Sequence, residues 1–420
     1  MLDNNNNNNL SFWTGVLKIT SYEVTRHVES KSAHEFSIAP CGPVYCPHCG
    51  GCGVRVQKRP TVKDIRDLSI CGKVVNLTIR RDQFSCQRCD RRFTPYLDML
   101  EPSSWVTRRF MRQAAEQIRY SDVASTARML DLPERSLGRW YNQYLESLEL
   151  DVPPQNRKPI KAIGIDELAL KKRHRQFVAV IVDHTNGCVL EVLETRLKED
   201  VKASLERLKK AGLFADLEEV SCDMWPAYAN AARETFGSEV KVCVDRFHVM
   251  KAFQDQLTDA RREIQKNLTP EEKVELKGSR WLWTTNWENL TLKSRRLLEA
   301  LKRRFPRLGT LHDQREKLRA IFETEHSVED GKALLLKWVE QSRALGLKSL
   351  NAFCETLGRW LEGIVQYFYK RTTNGRTEGF NRGLRSILWR ACGMQNFQNF
   401  RLRVLHCFGA RRTEIKNIVN

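Results

Sequence analysis

At 420 residues the chain is too long for one compact domain, and 41% hydrophobic content is enough to build buried cores, which excludes a disordered polyelectrolyte. Lys and Arg number 70 against 51 Asp and Glu, a formal charge of +19, so the surface should attract polyanions. The longest apolar runs, such as Val178–Val182, fall far short of the roughly 20 residues of a membrane span. Met1-Leu2-Asp3 followed by six Asn lacks the basic and apolar parts of a secretory signal. The expectation is a soluble intracellular protein with no membrane partner.

Residues 1–40 read as an N-terminal leader followed by strands. The stretch 41–100 is rich in cysteine: seven of the thirteen Cys lie between Cys41 and Cys89, and an odd total over a long chain argues against a secreted disulfide scaffold. Two Cys-x-x-Cys pairs, Cys46/Cys49 and Cys86/Cys89, can each set two thiolates on one side of a tight turn. Together they would complete a tetrahedron around a structural zinc ion. The 36 residues between the pairs exceed the usual spacing, but Val74–Ile79 alternates as a strand and Asp82-Gln83 offers a turn back, so a β-ribbon would bring the pairs together. Cys41, His48, Cys52 and Cys71 are substitute ligands, and a redox pair or plain buried thiols are competing readings. Arg80, Arg81, Arg88, Arg91 and Arg92 make this ribbon basic.

From Pro102 the period becomes helical. Val106, Phe110, Ala114 and Ile118 recur at four-residue steps, with Arg108, Arg109 and Arg112 on the other side. Ser121 is the expected N-cap of a helix from Asp122 to Leu130. After a break at Asp131-Leu132, Pro133 is expected as the first residue of a third helix. That helix carries Leu137, Trp140, Tyr141, Tyr144 and Leu148 on one face and leaves Arg135, Ser136, Arg139, Asn142 and Gln143 outward. Residues 101–150 thus read as a helix-turn-helix domain whose outward face enters the major groove. The plainer alternative is a helical linker with a solvated face.

Leu150–Pro159, with three prolines, reads as a linker. Lys161–Glu167 then forms a strand ending on carboxylates, Phe177–Val182 a second, Asp183–Gly187 a tight turn and Cys188–Leu193 a third strand. An amphipathic helix through Val201, Leu205 and Leu208 leads to Val220–Cys222, which runs into Asp223. Pro226 opens a helix that Gly237 ends, and Val240–Val244 runs into Asp245. Acids at strand ends collect along one edge of an α/β sheet, where ligands bind. Two or three carboxylates suit magnesium or manganese, and two such ions stabilise both the attacking and the leaving oxygen of a phosphodiester. The next acid is Glu378, beyond a charged, Trp-rich helical stretch. It shares one helix face with Asn374, Asn381 and Arg382. Singly, each acid reads better as a surface residue or a cap; the ordered set points to a metal edge.

The series continues through four motifs: Gly-Ile-Asp-Glu at 164–167, Cys-Asp-Met-Trp-Pro-Ala-Tyr at 222–228, Val-Asp-Arg-Phe-His-Val at 244–249 and Thr-Asn-Gly-Arg-Thr-Glu-Gly-Phe-Asn-Arg at 373–382. Together with the ribbon and the helix-turn-helix, it resembles the ISL3 family of bacterial insertion-sequence transposases from about Cys46 to Arg403. The resemblance implies a multidomain α+β protein. After the zinc-binding ribbon and helix-turn-helix would come an RNase H-like catalytic core beginning in 151–250, an all-α insertion at 251–370 and C-terminal core helices at 371–420. It implies a catalytic triad of Asp166, Asp223 and Glu378; these are expected to hold two Mg²⁺ (or Mn²⁺) ions, Asp166 bridging them, with Asp245, His248, Asn374 and Asn381 in support. Glu167 competes with Asp166, although strand alternation sends the two to opposite faces.

The implied activity is DNA strand cleavage and strand transfer. Its partners would be double-stranded DNA, both terminal inverted repeats and target, and a second copy of the chain as a homodimer in the bacterial cytoplasm, associated with the nucleoid. Arg108, Arg109, Arg112, Arg135, Ser136, Arg139, Asn142, Gln143, Arg382 and Arg385 are the expected DNA contacts. Competing readings are a transposase-derived DNA-binding regulator that does not cut, and a scaffold in which Trp281, Trp283 and Trp287 form an interaction surface rather than a core.

Overall fold

The computed structural model describes residues 4–19, 22–58, 61–95, 99–101, 105–148, 158–171, 176–391, 394 and 396–410. Pro102, most of the Leu150–Pro159 linker, the Arg80 side chain and Arg412 lie outside this description. The chain divides into two compact units, Met1–Leu150 and Asp151–Asn420.

In the first unit, α1 (Asn4–Leu17) is followed by strands β1 (Tyr22–Glu29), β2 (Ala33–Pro40), β3 (Gly53–Gln57), β4 (Thr61–Ile70), β5 (Lys73–Arg80), β6 (Gln83–Cys86) and β7 (Arg92–Phe93). Four strands form one sheet in the order β1-β2-β5-β4, and three form another in the order β3-β6-β7. The β4–β5 hairpin turns on Cys71 and Gly72, both at positive φ (49° and 78°), a conformation that matches the twist of paired strands. Val24, Phe36, Ile38, Ile65, Val75, Leu77 and Ile79 alternate into a core that α1 closes with Leu17 and Trp13. The Asn-rich leader therefore begins a helix that covers a sheet.

This arrangement corrects the single-ribbon expectation. β5 pairs in parallel with β2, from Ala33↔Val74 to Ile38↔Ile79, so the hairpin between the two Cys-x-x-Cys pairs joins the N-terminal strands. The two Cys-x-x-Cys pairs lie instead in the turns beside the three short strands, with Cys86 ending β6. A parallel partner so distant in sequence leaves no trace in local alternation.

Helices α2 (Arg108–Tyr120), α3 (Val123–Leu130) and α4 (Glu134–Ser147) follow. The N-cap of α3 is Asp122 rather than Ser121, its carboxylate accepting the Ser125 amide at 2.8 Å. Pro133 is the extended N-cap of α4 rather than its first helical residue. Leu137, Trp140, Tyr141 and Leu145 are buried, while Tyr144 and Leu148 are only half-buried. Arg66 on β4 donates to the carbonyls of Leu130 (3.1 Å) and Asp131 (2.9 Å), satisfying the open C-terminus of α3.

The second unit is built on β8 (Ala162–Lys171), β9 (Gln176–Asp183), β10 (Cys188–Leu193), β11 (Glu219–Cys222) and β12 (Lys241–Val244), in the order β10-β9-β8-β11-β12. The first three form an antiparallel meander, and β11 runs parallel to both β8 and β12. Helices α5 (Lys198–Lys210) and α6 (Pro226–Phe236) bury Leu205, Leu208, Ala229 and Ala232 in one core with Ile163, Ile165, Ile181 and Val220 of the sheet.

After β12 come α7 (Arg246–Lys266), α8 (Pro270–Leu276), α9 (Arg280–Thr284), α10 (Leu292–Arg304), α11 (Pro306–Glu323), α12 (Val328–Ala344), α13 (Lys348–Val365) and α14 (Tyr367–Lys370). They share a second apolar core in which Trp283 is buried and Trp287 packs at the edge, while Trp281 is half exposed. Helices α15 (Gly375–Arg390) and α16 (Phe397–Phe408) then return to the sheet, against β8 and β10 respectively. Arg401 of α16 holds the buried Glu191 of β10 by two hydrogen bonds of 2.6 Å. Among the described residues no helix is long and apolar enough to cross a membrane.

Candidate active site and metal-binding clusters

The register of the parallel strands lines up three acids. Ile165 of β8 pairs with Cys222 of β11, and Cys222 pairs with Val244 of β12. The next residue of each strand is Asp166, Asp223 and Asp245, so the acids form a row at spacings of about 4.8 Å between neighbouring strands. β8 does not stop at Glu167 as its sequence suggests; Leu168–Lys171 continue the pairing with β9 beyond the end of the shorter β11. Burial, compounded by the charges of Glu378, Glu167 and Asp245, raises Asp166 to about 6. Burial and the charges of Asp166 and Glu167 raise Asp223 to about 7, and burial raises Asp245 as well.

Glu378 comes to this row from α15, and a buried polar network fixes the helix. Asn374 stands at the N-cap position yet makes no side-chain cap. Its Nδ2 instead donates to the Ile165 carbonyl (3.4 Å), and its Oδ1 accepts the Thr377 hydroxyl (2.8 Å). Thr377 Oγ1 also lies 2.9 Å from His184 Nε2. With the hydroxyl proton given to Asn374, the imidazole must be the donor in that contact. Burial, then the Arg376 charge, lowers His184 to about 4, so the ring is neutral at pH 7. One turn on, Asn381 Nδ2 donates to Asp166 Oδ2 (2.8 Å). All this depends on Gly164, where a Cβ would lie 2.3 Å from both His184 Nε2 and Thr377 Oγ1 and 2.4 Å from Asn374 Oδ1. Sequence reasoning does not reach His184 or Thr377; the glycine before Ile165-Asp166 is the signal that something crosses closely there.

Glu167, the competitor of Asp166, forms an ion pair with Arg196. That guanidinium is itself stacked 4.5 Å from the rings of Phe177 and Trp225. The pairing leaves Asp166 as the acid directed at α15.

The donor set fits a divalent cation. Asp223 Oδ1, Asp245 Oδ2 and His248 Nε2 are buried and make no well-formed hydrogen bond among the described residues, and crowded, desolvated carboxylates are what a cation would neutralise. One ligand atom each from Asp245, His248 and Glu378 lie within 4.8 Å of one another. Asp166, Asp223 and Glu378 do not form so tight a group among the described residues.

In the first unit, Cys46, Cys49, Cys86 and Cys89 bring their sulfurs within 4.8 Å of one another. The cross-pair Sγ distances are 3.8 Å (Cys46–Cys89) and 3.4 Å (Cys49–Cys86), close to the ~3.8 Å edge of a tetrahedron with 2.3 Å zinc–sulfur bonds. Both pairs use the same turn. Gly50 N donates to the Cys46 carbonyl and Asp90 N to that of Cys86, each at 2.9 Å, and the amides of His48 and Arg88 point at Cys46 Sγ (3.4 Å) and Cys86 Sγ (3.3 Å). Four thiolates could hold zinc here. Cys41, Cys52, Cys71 and His48 stand outside the cluster, and Cys71 serves the β4–β5 turn.

Of the expected DNA contacts, Arg135 and Arg139 on α4, Arg108 and Arg112 on α2, and Arg382 and Arg385 on α15 are exposed, while Ser136, Asn142 and Gln143 are half-buried. Arg385 lines a cavity of about 620 Å³ with Leu170, Trp389 and Phe400. Arg109 is a correction: its guanidinium is paired with the fully buried Asp67 and also donates to the Leu17 carbonyl. It ties α2 to β4 and to the end of α1 rather than standing free for phosphate.

A family described as transposase, the ISL3 group of DDE enzymes, matches residues 163–404. The transposase for insertion sequence element IS1001 of Bordetella parapertussis is 26% identical over 365 residues, covering 86% of this chain and 88% of that protein. The transposase for insertion sequence element IS1557, in two strains of Mycobacterium tuberculosis, is 28% identical over 262 residues, 57% of this chain and 58% of that one. Among solved structures, the Drosophila P element transposase strand transfer complex has a TM-score of 0.41 at 13% identity, covering 72% of this chain and 92% of that one. That likeness is too loose to assign a fold.

Proposed function

Because the chain belongs to the ISL3 family of transposases, we propose that it binds the terminal inverted repeats of an insertion sequence and cuts and rejoins DNA at the acid row of its second unit. The observation that carries this reading is the shared register of Asp166, Asp223 and Asp245 with Glu378 closing over them from α15. The strand order, with a three-stranded meander and two parallel additions, supports an RNase H-like core, and the long helical stretch between β12 and α15 then reads as its insertion.

Asp166, Asp223 and Glu378 are the proposed catalytic carboxylates. Two divalent cations bound to them would neutralise the scissile phosphate and activate the attacking oxygen. Asn381 orients Asp166, and the His184–Thr377–Asn374 chain sets the height of α15 above β8. Water attacks in line and releases a 3′-OH, which the same carboxylates then hold for attack on target DNA. Zinc at the four cysteines is structural. The outward face of α4, through Arg135, Ser136, Arg139, Asn142 and Gln143, reads the terminal repeat, helped by Arg108 and Arg112, while Arg382 and Arg385 hold phosphate beside the acids. Two copies of the chain pair the two ends.

Cleavage of a labelled terminal-repeat duplex with and without Mg²⁺ tests the proposal. Asp166→Ala, Asp223→Ala and Glu378→Ala should abolish cutting and leave end binding largely intact; full cleavage by Asp223→Ala would sink the assignment. Substituting Arg139 and Asn142 together should cut the preference for terminal-repeat over random DNA by about 1–3 kcal/mol per lost base contact. Binding without any cleavage by the unaltered protein would leave a DNA-binding regulator.

A further inference from the structure

We infer that Asp245, His248 and Glu378 form a mixed nitrogen and oxygen metal site selecting a first-row transition-metal dication over magnesium, beside an all-oxygen position at Asp166 and Asp223. This deepens the strand-cleavage reading and rests on it only for the reaction the ion would serve.

Three observations carry it. Asp245 is 1% exposed and uses one oxygen to cap α7, accepting the Phe247 amide on Oδ1 at 3.3 Å. Its other oxygen, Oδ2, is buried and makes no well-formed hydrogen bond among the described residues, although the Asn374 amide stands near the carboxylate, and His248 Nε2 is likewise buried without a bond. A buried polar atom left unpaired is unfavourable, and two of them side by side mark a place for a ligand. The ligand atoms of Asp245, His248 and Glu378 all lie within 4.8 Å of one another. Opposed ligands on bonds of about 2.1 Å stand about 4.2 Å apart and adjacent ones about 3 Å apart, so an ion would draw the three groups together from their present spacing.

The local sequence explains how the site is made. Asp245 ends the β12 row and starts α7, and His248 lies three residues on, in the first turn of that helix. Residues three apart share a helix face, so the carboxylate and the imidazole point together toward the residue that α15 delivers. A simple histidine–carboxylate contact would place Nε2 at hydrogen-bonding distance from one of the two acids, and no such bond forms.

The donor types decide the ion. Magnesium takes oxygen ligands and sheds its water reluctantly, whereas imidazole suits borderline transition ions. Asp166 and Asp223 offer oxygen alone. The two positions therefore differ in chemistry, with Glu378 on the nitrogen-bearing side.

Pulsed electron paramagnetic resonance on the full-length protein loaded with Mn²⁺ tests this without reference to activity. The expected result is modulation from a directly bound ¹⁴N in the unaltered protein, retained in excess Mg²⁺, and absent from His248→Gln although Mn²⁺ still binds at the other position. Asp245→Asn should weaken this Mn²⁺ component by at least about tenfold. An unaltered protein with no nitrogen coupling, or a His248→Gln variant with the same coupling, overturns the site. The two readings separate cleanly: a protein that cuts DNA but shows no coupling loses only this inference, and one that shows coupling but never cuts loses only the cleavage reading.

Discussion

Asn381 on α15 donates its Nδ2 to Oδ2 of Asp166 over 2.8 Å, joining residues 215 positions apart in the chain. The other oxygen of Asp166 accepts the Glu167 amide at 2.8 Å, so both oxygens are oriented by the protein. Asn381→Leu, close in size but without the amide, should reduce single-turnover cleavage by about 10–100-fold, the usual effect of losing a group that orients a metal ligand. End binding should be unaltered. Unimpaired cleavage would show that Asp166 needs no such support.

Gly164 is the point on which α15 and β8 close together. Gly164→Ala introduces a methyl group where three polar atoms lie within 2.4 Å of its position, and overpacking of this kind costs about 1–3 kcal/mol. The variant should fold with a lowered Tm and lose cleavage, because Glu378 and Asn381 are displaced together. Wild-type cleavage by a folded Gly164→Ala protein would contradict the described approach of helix to strand.

Asp166 and Asp223 are raised to about 6 and about 7, chiefly by burial. An acid whose folded pKa exceeds its unfolded value of about 3.9 favours the fold at low pH and loses that contribution as pH rises through the folded value. His184 and His248, lowered chiefly by burial, act oppositely: their contribution is lost as pH falls below about 6.5. Above that pH the acids dominate. The Mg²⁺-induced rise in Tm should accordingly be larger at pH 8 than at pH 6.5, and the difference should shrink in Asp223→Asn. Equal rises at both pH values would contradict the burial of these acids.

The four-cysteine cluster should release about one zinc per chain when its thiolates are titrated with a mercurial reagent. Cys49→Ser should abolish that zinc and melt the first unit at lower temperature, while Cys41→Ser, Cys52→Ser and Cys71→Ser should retain it. Loss of zinc from any of the last three would reopen the ligand set.

Arg109 and Arg139 should behave differently although both are arginines in the three-helix region. Arg109→Ala leaves the buried Asp67 without its countercharge, keeping only the Thr107 hydroxyl at 2.6 Å. Removing one partner of such a pair costs several kcal/mol when both are buried, about 1–3 kcal/mol here where Arg109 is partly exposed, and should lower the Tm of the first unit. Arg139, exposed on α4, should change DNA preference and leave thermal stability near the unaltered value. Equal Tm effects from the two substitutions would count against these assignments.

What could be read from the sequence was local. Asp223 and Asp245 directly follow short apolar strands, and Asp183–Gly187 shows its turn chemistry openly, with Gly187 at φ 67°. Elements resting on distant partners stayed hidden. The parallel pairing of β2 with β5 moved a hairpin out of the cysteine ribbon, because alternation reports which residues are buried and not which strand lies alongside. Arg109 looks like any other outward arginine until Asp67 is placed beneath it. Ser121 and Asp122 are both good caps by residue type, and only the bond to Ser125 decides between them. His184 and Thr377 sit 193 residues apart, and Gly164 alone marks their meeting.

The position of Glu378 on α15 also sets an order in time. Asp166 and Asp223 emerge from a ribosome well before the helix that closes over them, and at roughly 5–20 residues per second the interval between Asp166 and Glu378 is about 10–40 s. Throughout it, the nascent chain already has its cysteine strands and its three-helix face, while Asn381 and Glu378 are still unmade. A product ending between α4 and α15 is thus a ready-made competitor: on the proposed function it would occupy the same DNA ends as the complete enzyme and leave them uncut.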